Sequence, residues 1–170
     1  MPDPRDEFYQ QKLQQIEGKW IGLDPEVTLV VLGILHTGQC LESLLAGDLQ
    51  AYDLSSSAFN LLTILDAQQD RSMPLHELGR LLVTSRANIT GLVDSLCKKG
   101  YVERVPHASD RRIKLARLLP AGVQALSQAL PGHIQRIGQL GSSLNSAERQ
   151  QLVKLLAKLR NQALTLSDGG

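Results

Sequence analysis

Three charged side chains stand next to one another in the stretch SDRRIKL, which covers residues 109–115. Arginines such as Arg111 and Arg112 bind phosphate or enter a narrow DNA minor groove, where the negative potential is enhanced. Asp110 would repel DNA if it were free, so we expect it to pair with a neighbouring arginine and hold the loop in shape. Alone, the triplet is more typical of a solvated turn, and the neighbouring elements must decide between the two interpretations.

Positive charge is concentrated around this stretch. Residues 84–117 contain eight Lys or Arg and three acidic residues, which gives this segment +5 in a chain whose net charge is +1. A local positive field on a nearly neutral protein favours a localised anionic partner. Double-stranded DNA would be such a partner if the neighbouring elements form a DNA-binding fold, and Lys114 and Arg117 could then add phosphate contacts to those of the two loop arginines.

The elements that position these charges follow from helix caps and apolar periodicity. Thr84 or Ser85 is expected to cap a helix that ends in a basic turn followed by Gly100. The apolar residues of this helix recur at i, i+3, i+4 and i+7, namely Ile89, Leu92, Val93 and Leu96. A shorter helix precedes it, with Leu75, Leu78, Leu81 and Leu82. Two strands are expected to follow, at Tyr101–Val105 and Ile113–Leu119.

Two short helices, a tight turn at Val83-Thr84 and a following hairpin are typical of a winged helix-turn-helix. The N-terminal end of the second helix enters the DNA major groove in such proteins, where Asn and Arg read bases and Ser and Thr bind phosphates. We therefore predict a DNA-binding surface made of the following residues: Thr84, Ser85, Arg86, Asn88, Thr90, Asp110, Arg111, Arg112 and Lys114.

Long helices are expected on both sides of this unit. Asp24-Pro25-Glu26 favours a helix start, and the helix could run to about Ala51 with apolar residues on more than one side. Further helices are expected from Pro120 to about Ile137 and from Ser146 onward. An apolar helix of this kind in a small chain indicates a subunit interface. We predict a mainly α protein with a small β-hairpin wing: an N-terminal extension and dimerisation helix (1–53), a winged helix-turn-helix lobe (54–120) and C-terminal dimerisation helices (121–170).

Several classes of protein are disfavoured by the sequence. Cys40 and Cys97 do not form a disulfide framework, the N-terminus lacks an apolar signal core, and the longest apolar stretch, residues 27–35, is interrupted. We therefore expect a cytoplasmic protein without a membrane span. The four histidines lack metal-ligand spacing, and no phosphate-binding or nucleophile motif is present, so we expect no metal, no cofactor and no enzyme activity.

Residues 54–122 resemble the MarR family of bacterial transcriptional regulators. The segments that carry the resemblance are MPLHELGRLL, TSRANITGLVDSLCKKGYVERV and SDRRIKLARLLPAG, and the flanking helices extend it to about residues 24–166. It implies a homodimer on a pseudo-palindromic operator, which usually represses and is released by a small aromatic or phenolic acid. Two positions depart from the family. Leu119 replaces a frequent capping Thr, which bears on the second wing strand, and Gly91 replaces a larger polar residue, which bears on base specificity.

The resemblance leaves the control of DNA binding open. Trp20, His36 and Phe59 could line a site for an aromatic acid, although core packing explains each of them as well. Cys40 could instead sense oxidants, since some members of the family use a cysteine in the first long helix, while Cys97 is expected to be a buried small hydrophobe. A third alternative is a winged-helix adaptor that binds protein, because the fold alone does not decide the partner.

Overall fold

The computed structural model describes residues 3–16, 19–107, 109–110 and 112–168. These residues form a mainly helical chain with one small antiparallel sheet, which confirms the predicted fold class. The seven helices are α1 (Pro4–Ile16), α2 (Pro25–Gln50), α3 (Ser56–Asp66), α4 (Leu75–Leu81), α5 (Arg86–Lys98), α6 (Pro120–Gly141) and α7 (Ser146–Asp168). The three strands are β1 (Ser72–Pro74), β2 (Val102–Pro106) and β3 (Lys114–Leu118).

The helices begin where short polar side chains can bind free backbone amides. Asp24 caps α2 by accepting from the amide of Val27 at 3.0 Å, and Ser55 caps α3 in the same way. α6 begins at Pro120 after Leu119, which gives no side-chain cap, as its departure from the family pattern implies. α6 also continues through Gly138 to Gly141, beyond the predicted end near Ile137.

The sheet has the strand order β1-β3-β2, so β3 is central. β2 and β3 form the predicted hairpin, with Arg104 opposite Ala116 and Pro106 opposite Lys114. β1 was not predicted. Its three residues pair with β3 from 40 or more positions earlier in the chain, and the register places Met73 opposite Ala116. The pairing places Pro74, and therefore the start of α4, beside Leu115 of β3.

The core lies between α3, α5, the sheet and the first half of α6. Its most deeply buried side chains are Leu49, Leu61, Leu62, Leu65, Leu78, Val93, Leu96 and Val102. Ala125, Leu126 and Ala129 of α6 are also buried, so the packing of the winged unit continues past residue 120. Gly122 allows the start of α6 to approach the strand, because a Cβ there would lie 2.4 Å from the carbonyl oxygen of Tyr101.

The long helices α2 and α7 and the second half of α6 expose apolar side chains. On α2 these are Val27, Val30, Val31, Ile34, Leu35, Leu41 and Leu44. By length and composition alone α2 could cross a membrane, which the sequence analysis did not expect. The core helices of soluble proteins pass the same test. α2 also carries Asp48, which forms an ion pair with Arg136 of α6 at 2.8 Å.

Candidate nucleic-acid interface

The N-terminal end of α5 is open to solvent on one face and buried on the other. Ser85 is the helix cap, since its Oγ accepts from the amide of Asn88 at 3.2 Å. Arg86 and Asn88 are exposed, whereas Ile89 and Val93 on the opposite face are 2% and 0% exposed. This arrangement is the amphipathic helix that the spacing of apolar residues predicted, and it leaves the polar end of α5 free for a ligand.

The turn between α4 and α5 has an unusual backbone. Val83 has φ of 49°, a left-handed conformation that a β-branched residue rarely adopts, and it is 85% exposed. The amide of Thr84 donates to the carbonyl of Gly79 at 3.0 Å, which closes the turn. Thr84 is half-buried, so its backbone supports the turn while its side chain borders the exposed end of α5.

The wing tip is held by backbone hydrogen bonds to Asp110. Its Oδ1 accepts from the backbone amide of Arg112 at 2.9 Å, and its carbonyl accepts from Ile113 at 3.0 Å. The carboxylate therefore stabilises the turn through the backbone, and no ion pair between Asp110 and Arg112 is present. Arg111 lies outside the described residues, so its predicted role stays a prediction. Arg112 is exposed.

A groove of about 1030 Å³ lies between α4, α5 and the wing. It brings together Thr84, Arg86 and Thr90 from the turn and α5 with Arg112 and Lys114 from the wing. The described residues that line it also include Arg80 and Arg104, which the sequence analysis did not single out. Five of these lining residues are Lys or Arg and none is acidic. Leu164 of α7 reaches one edge of the groove.

Arg104 of β2 joins the wing to α5. Its Nη2 donates to the carbonyl oxygen of Thr90 at 3.1 Å and lies 2.9 Å from Oδ1 of Asp94. Thr90 in turn donates through its hydroxyl to the carbonyl of Arg86 at 2.9 Å. The sequence gave no clear signal for this role of Arg104, because its acceptors lie on α5, 10 and 14 positions earlier in the chain.

The three residues predicted to bind an aromatic ligand have different surroundings in the structure. Phe59 is 3% exposed, and its ring centroid lies 4.4 Å from that of His133, whose Nδ1 is buried without a hydrogen-bond partner. His36 contacts Tyr9 of α1 with ring centroids 5.2 Å apart. Trp20 is 62% exposed. The proposed aromatic-acid site therefore stays a prediction.

The two cysteines also differ in their surroundings. Cys40 is exposed, and Nη2 of Arg5 lies 3.2 Å from its Sγ. The same guanidinium holds Asp3 and lowers the pKa of that carboxyl to about 2. The sequence gives no local signal for this contact, because Arg5 comes from α1, 35 positions away from Cys40. Cys97 is half-buried, and burial raises the pKa of its thiol.

Comparison of the sequence and the fold with known proteins finds similarity to one family of transcriptional regulators. A family model described as the MarR family matches residues 54–114. The transcriptional repressor YetL of Bacillus subtilis is 31% identical over 115 residues, covering 68% of this chain and 69% of that protein. The repressor MprA of Escherichia coli is 31% identical, covering 72% of this chain and 69% of that protein. Sco3205, a MarR family regulator from Streptomyces coelicolor solved with DNA, is 25% identical with a TM-score of 0.78, covering 82% and 89% of the two chains.

Proposed function

Because the chain belongs to the MarR family of transcriptional regulators, and so is not an enzyme, we propose that it is a DNA-binding repressor. Its active form would be a homodimer that binds a pseudo-palindromic operator and releases it when a small aromatic or phenolic ligand binds. The observation that carries the DNA-binding part is the groove between α5 and the wing, whose described lining holds five Lys and Arg and no acid.

The proposed contacts divide between the two edges of this groove. Ser85, Arg86, Asn88 and Thr90 at the start of α5 would face the major groove, where Arg and Asn are suited to base edges. Arg111 and Arg112 would enter the minor groove, and Lys114 would bind phosphate. Two of the predicted residues, Thr84 and Asp110, would support the backbone of the DNA-binding surface and would not bind DNA themselves. The amide of Thr84 closes the turn, and Asp110 caps the wing tip.

The homodimer is supported by apolar side chains that the chain does not cover itself. Those on α7 are Leu152, Val153, Leu155, Leu159, Leu164 and Leu166, and those on α6 are Ile134 and Ile137. Together with the apolar face of α2 they form a surface that is large for a soluble monomer. Burial against a second copy would give α2 its buried environment without a membrane. A repressor of this kind acts in the compartment that holds the DNA, which is the bacterial cytoplasm.

The proposed effector is an aromatic acid that binds near Phe59, His36 and Trp20. Phe59 lies where α2, α3 and α6 meet, next to the ion pair that joins Asp48 to Arg136. A ligand at this junction would change how the winged unit is held by the long helices. Titration with 2-hydroxybenzoate should raise the melting temperature and weaken DNA binding in the wild type, and Phe59→Ala should reduce both responses. An unchanged response of the variant would exclude Phe59 from the site.

The DNA-binding role is tested by replacing both wing arginines. Arg111→Ala/Arg112→Ala should weaken operator binding by about 100-fold or more at moderate salt and reduce the salt slope by about two, because each phosphate contact releases counterions. Lys12→Ala/Lys19→Ala removes the same charge far from the groove and serves as the control. Unchanged affinity in the first variant would reject the wing role. A wild type without steep salt dependence would favour the protein-binding adaptor.

A second candidate function keeps the DNA-binding role but replaces the aromatic ligand with an oxidant as the signal that releases DNA. The exposed thiol of Cys40, with Nη2 of Arg5 3.2 Å from its Sγ, favours an oxidant-sensing regulator, because an accessible thiol can be oxidised. Peroxide should then release DNA from the wild type but not from Cys40→Ser, and Arg5→Gln should slow the release. If Cys40→Ser responds like the wild type, this thiol is not the sensor.

A further inference from the structure

The wing is anchored at its base, and the described residues near its tip make few contacts outside the wing. Val102, Ala116 and Leu118 at the base are at most 5% exposed. Beyond them, Pro106 and Ser109 are exposed, and the polar contacts of His107 and Asp110 stay within the wing. β2 is an edge strand, so its outer side has no neighbouring strand to hold it.

Arg104 lies at the point where the buried base gives way to the exposed tip. Within the part of the chain that the structure describes, its bonds to the carbonyl of Thr90 and to Asp94 are the only polar side-chain contacts between the wing and α5. The two acceptors lie on successive turns of α5, and one guanidinium nitrogen binds both. The contact therefore fixes the middle of β2 against the side of α5.

We propose that Arg104 and Asp94 are positioning residues that set the orientation of the wing relative to α5, so that both parts meet one DNA duplex together. This inference rests on the proposed DNA-binding function and adds residues to it. Holding the two DNA-contacting parts in their bound arrangement before the encounter reduces the ordering that binding requires. Arg104 is 34% exposed at its side chain and Asp94 is 51% exposed, so the pair itself adds little to the stability of the fold.

The proposal predicts that replacing Asp94 changes the DNA affinity in the direction opposite to the one that charge alone would produce. Asp94 is an acid close to a basic groove, and its removal would strengthen attraction to DNA if charge alone mattered. If Asp94 holds Arg104, its removal releases the wing and weakens binding. Asp94→Asn keeps the size of the side chain and removes the charge, so the direction of the change in affinity distinguishes the two explanations.

Glu103 provides a matched control on the same strand. It neighbours Arg104, points to the other face of the sheet, and lies 3.5 Å from Arg117 of β3. Glu103→Gln removes one carboxylate as Asp94→Asn does, but it leaves the contact with α5 intact. We expect Asp94→Asn to weaken operator binding about threefold to tenfold and Glu103→Gln to leave it equal or about twofold tighter.

The decisive experiment measures operator binding of the full-length protein by fluorescence anisotropy at one salt concentration, in the wild-type background and in Arg111→Ala/Arg112→Ala. Asp94→Asn should weaken binding in the first background and have no effect in the second, where the wing has lost its arginines. Its melting temperature should stay within about 2 °C of the wild type, since exposed pairs contribute little.

Each other outcome overturns the inference. Tighter binding by Asp94→Asn would show that the acid acts only through its charge. An equal loss in both backgrounds would show that it acts on α5 and not on the wing. Failure of the wild type to bind any operator would reject the proposed function itself, and that result is visible before any variant is measured.

Discussion

The winged unit and the long helices around it differ in where their apolar side chains go. In the winged unit, Leu61, Leu62 and Leu65 of α3 are all fully buried within one chain. In α7, none of the described side chains is buried, and Leu155 is 52% exposed. The core of the first region is completed within one chain, whereas the second region has an apolar surface that we propose a second copy covers. One short sequence thus encodes a lobe with a buried core and long helices whose apolar side chains this chain leaves exposed.

The largest expected effect tests the lobe with the buried core. Leu65→Ala removes a side chain that is 0% exposed at the centre of the winged core, and it should reduce the free energy of unfolding by about 2–5 kcal/mol. Leu81→Ala in the neighbouring helix removes the same atoms from a side chain that is 58% exposed, and it should change stability by at most about 0.5 kcal/mol. Urea unfolding measures both. Similar losses would mean that the lobe has no distinct core.

The next effect tests the exposed apolar side chains of the long helices. Leu155→Glu places a charge on the apolar side of α7, and a charge buried at a subunit interface is strongly unfavourable. We expect the dimer dissociation constant in analytical ultracentrifugation to rise about 100-fold, which is about 2.7 kcal/mol. The far-UV circular dichroism spectrum of the variant should match that of the wild-type protein. Asn161→Glu adds the same charge on a different side of α7 and should leave the dimer intact. A dimer that tolerates Leu155→Glu would place the interface elsewhere.

The same contrast explains which features could be predicted from the sequence. Caps act within a few residues, so the starts of α2 at Pro25 and of α5 after Ser85 were predicted from the local sequence. The expectation of a C-terminal glycine was also right, since Gly100 has φ of 69° directly after α5. The apolar face of α5 followed from periodicity, because one side of a helix covers a core.

Features that depend on distant residues were missed. β1 has only three residues and one proline, and it exists because β3 offers backbone partners from the far side of the wing. Arg104 and Arg5 gained their roles from acceptors 14 and 35 positions away. Asp110 was expected to pair with a neighbouring arginine. It binds the backbone amide of Arg112 and not that side chain, because an acid two residues before an amide closes a turn locally. A pair with Arg111 lies outside the described residues and stays a prediction. Sequence spacing alone does not rank these competing partners.

A third prediction sharpens the comparison within a single helix. Gly122 of α6 lies against the winged unit, and a Cβ there would meet the carbonyl oxygen of Tyr101 at 2.4 Å. Gly122→Ala should therefore destabilise the protein by about 1–3 kcal/mol. Gly138 in the second half of α6 has open space around it, and Gly138→Ala should stabilise the helix by about 0.5–1 kcal/mol. Thermal unfolding of both variants decides whether the two halves of α6 have different environments, and shifts of the same sign would contradict this.

The smallest expected effect concerns the ion pair that joins two of the long helices, α2 and α6. Two nitrogens of Arg136 donate to the carboxylate of Asp48 at 2.8 and 3.0 Å, and this contact lowers the pKa of Asp48 below its ordinary value. A lowered pKa in the folded state means that the ionised carboxylate stabilises the fold at pH values above its ordinary pKa. That contribution is lost as the pH falls through the lowered value.

Asp48→Asn should therefore melt slightly below the wild type at pH 7, with a difference that stays constant down to about pH 5 and shrinks below about pH 4, where the unfolded carboxyl takes up a proton. Glu42 lies on the same helix and forms no ion pair among the residues that the structure describes, so Glu42→Gln should show no such trend. If the difference for Asp48→Asn does not change between pH 7 and pH 3, the ionised pair does not stabilise the contact between α2 and α6. That contact would then depend on apolar packing alone, and a ligand near Phe59 would act on that packing instead of on the ion pair.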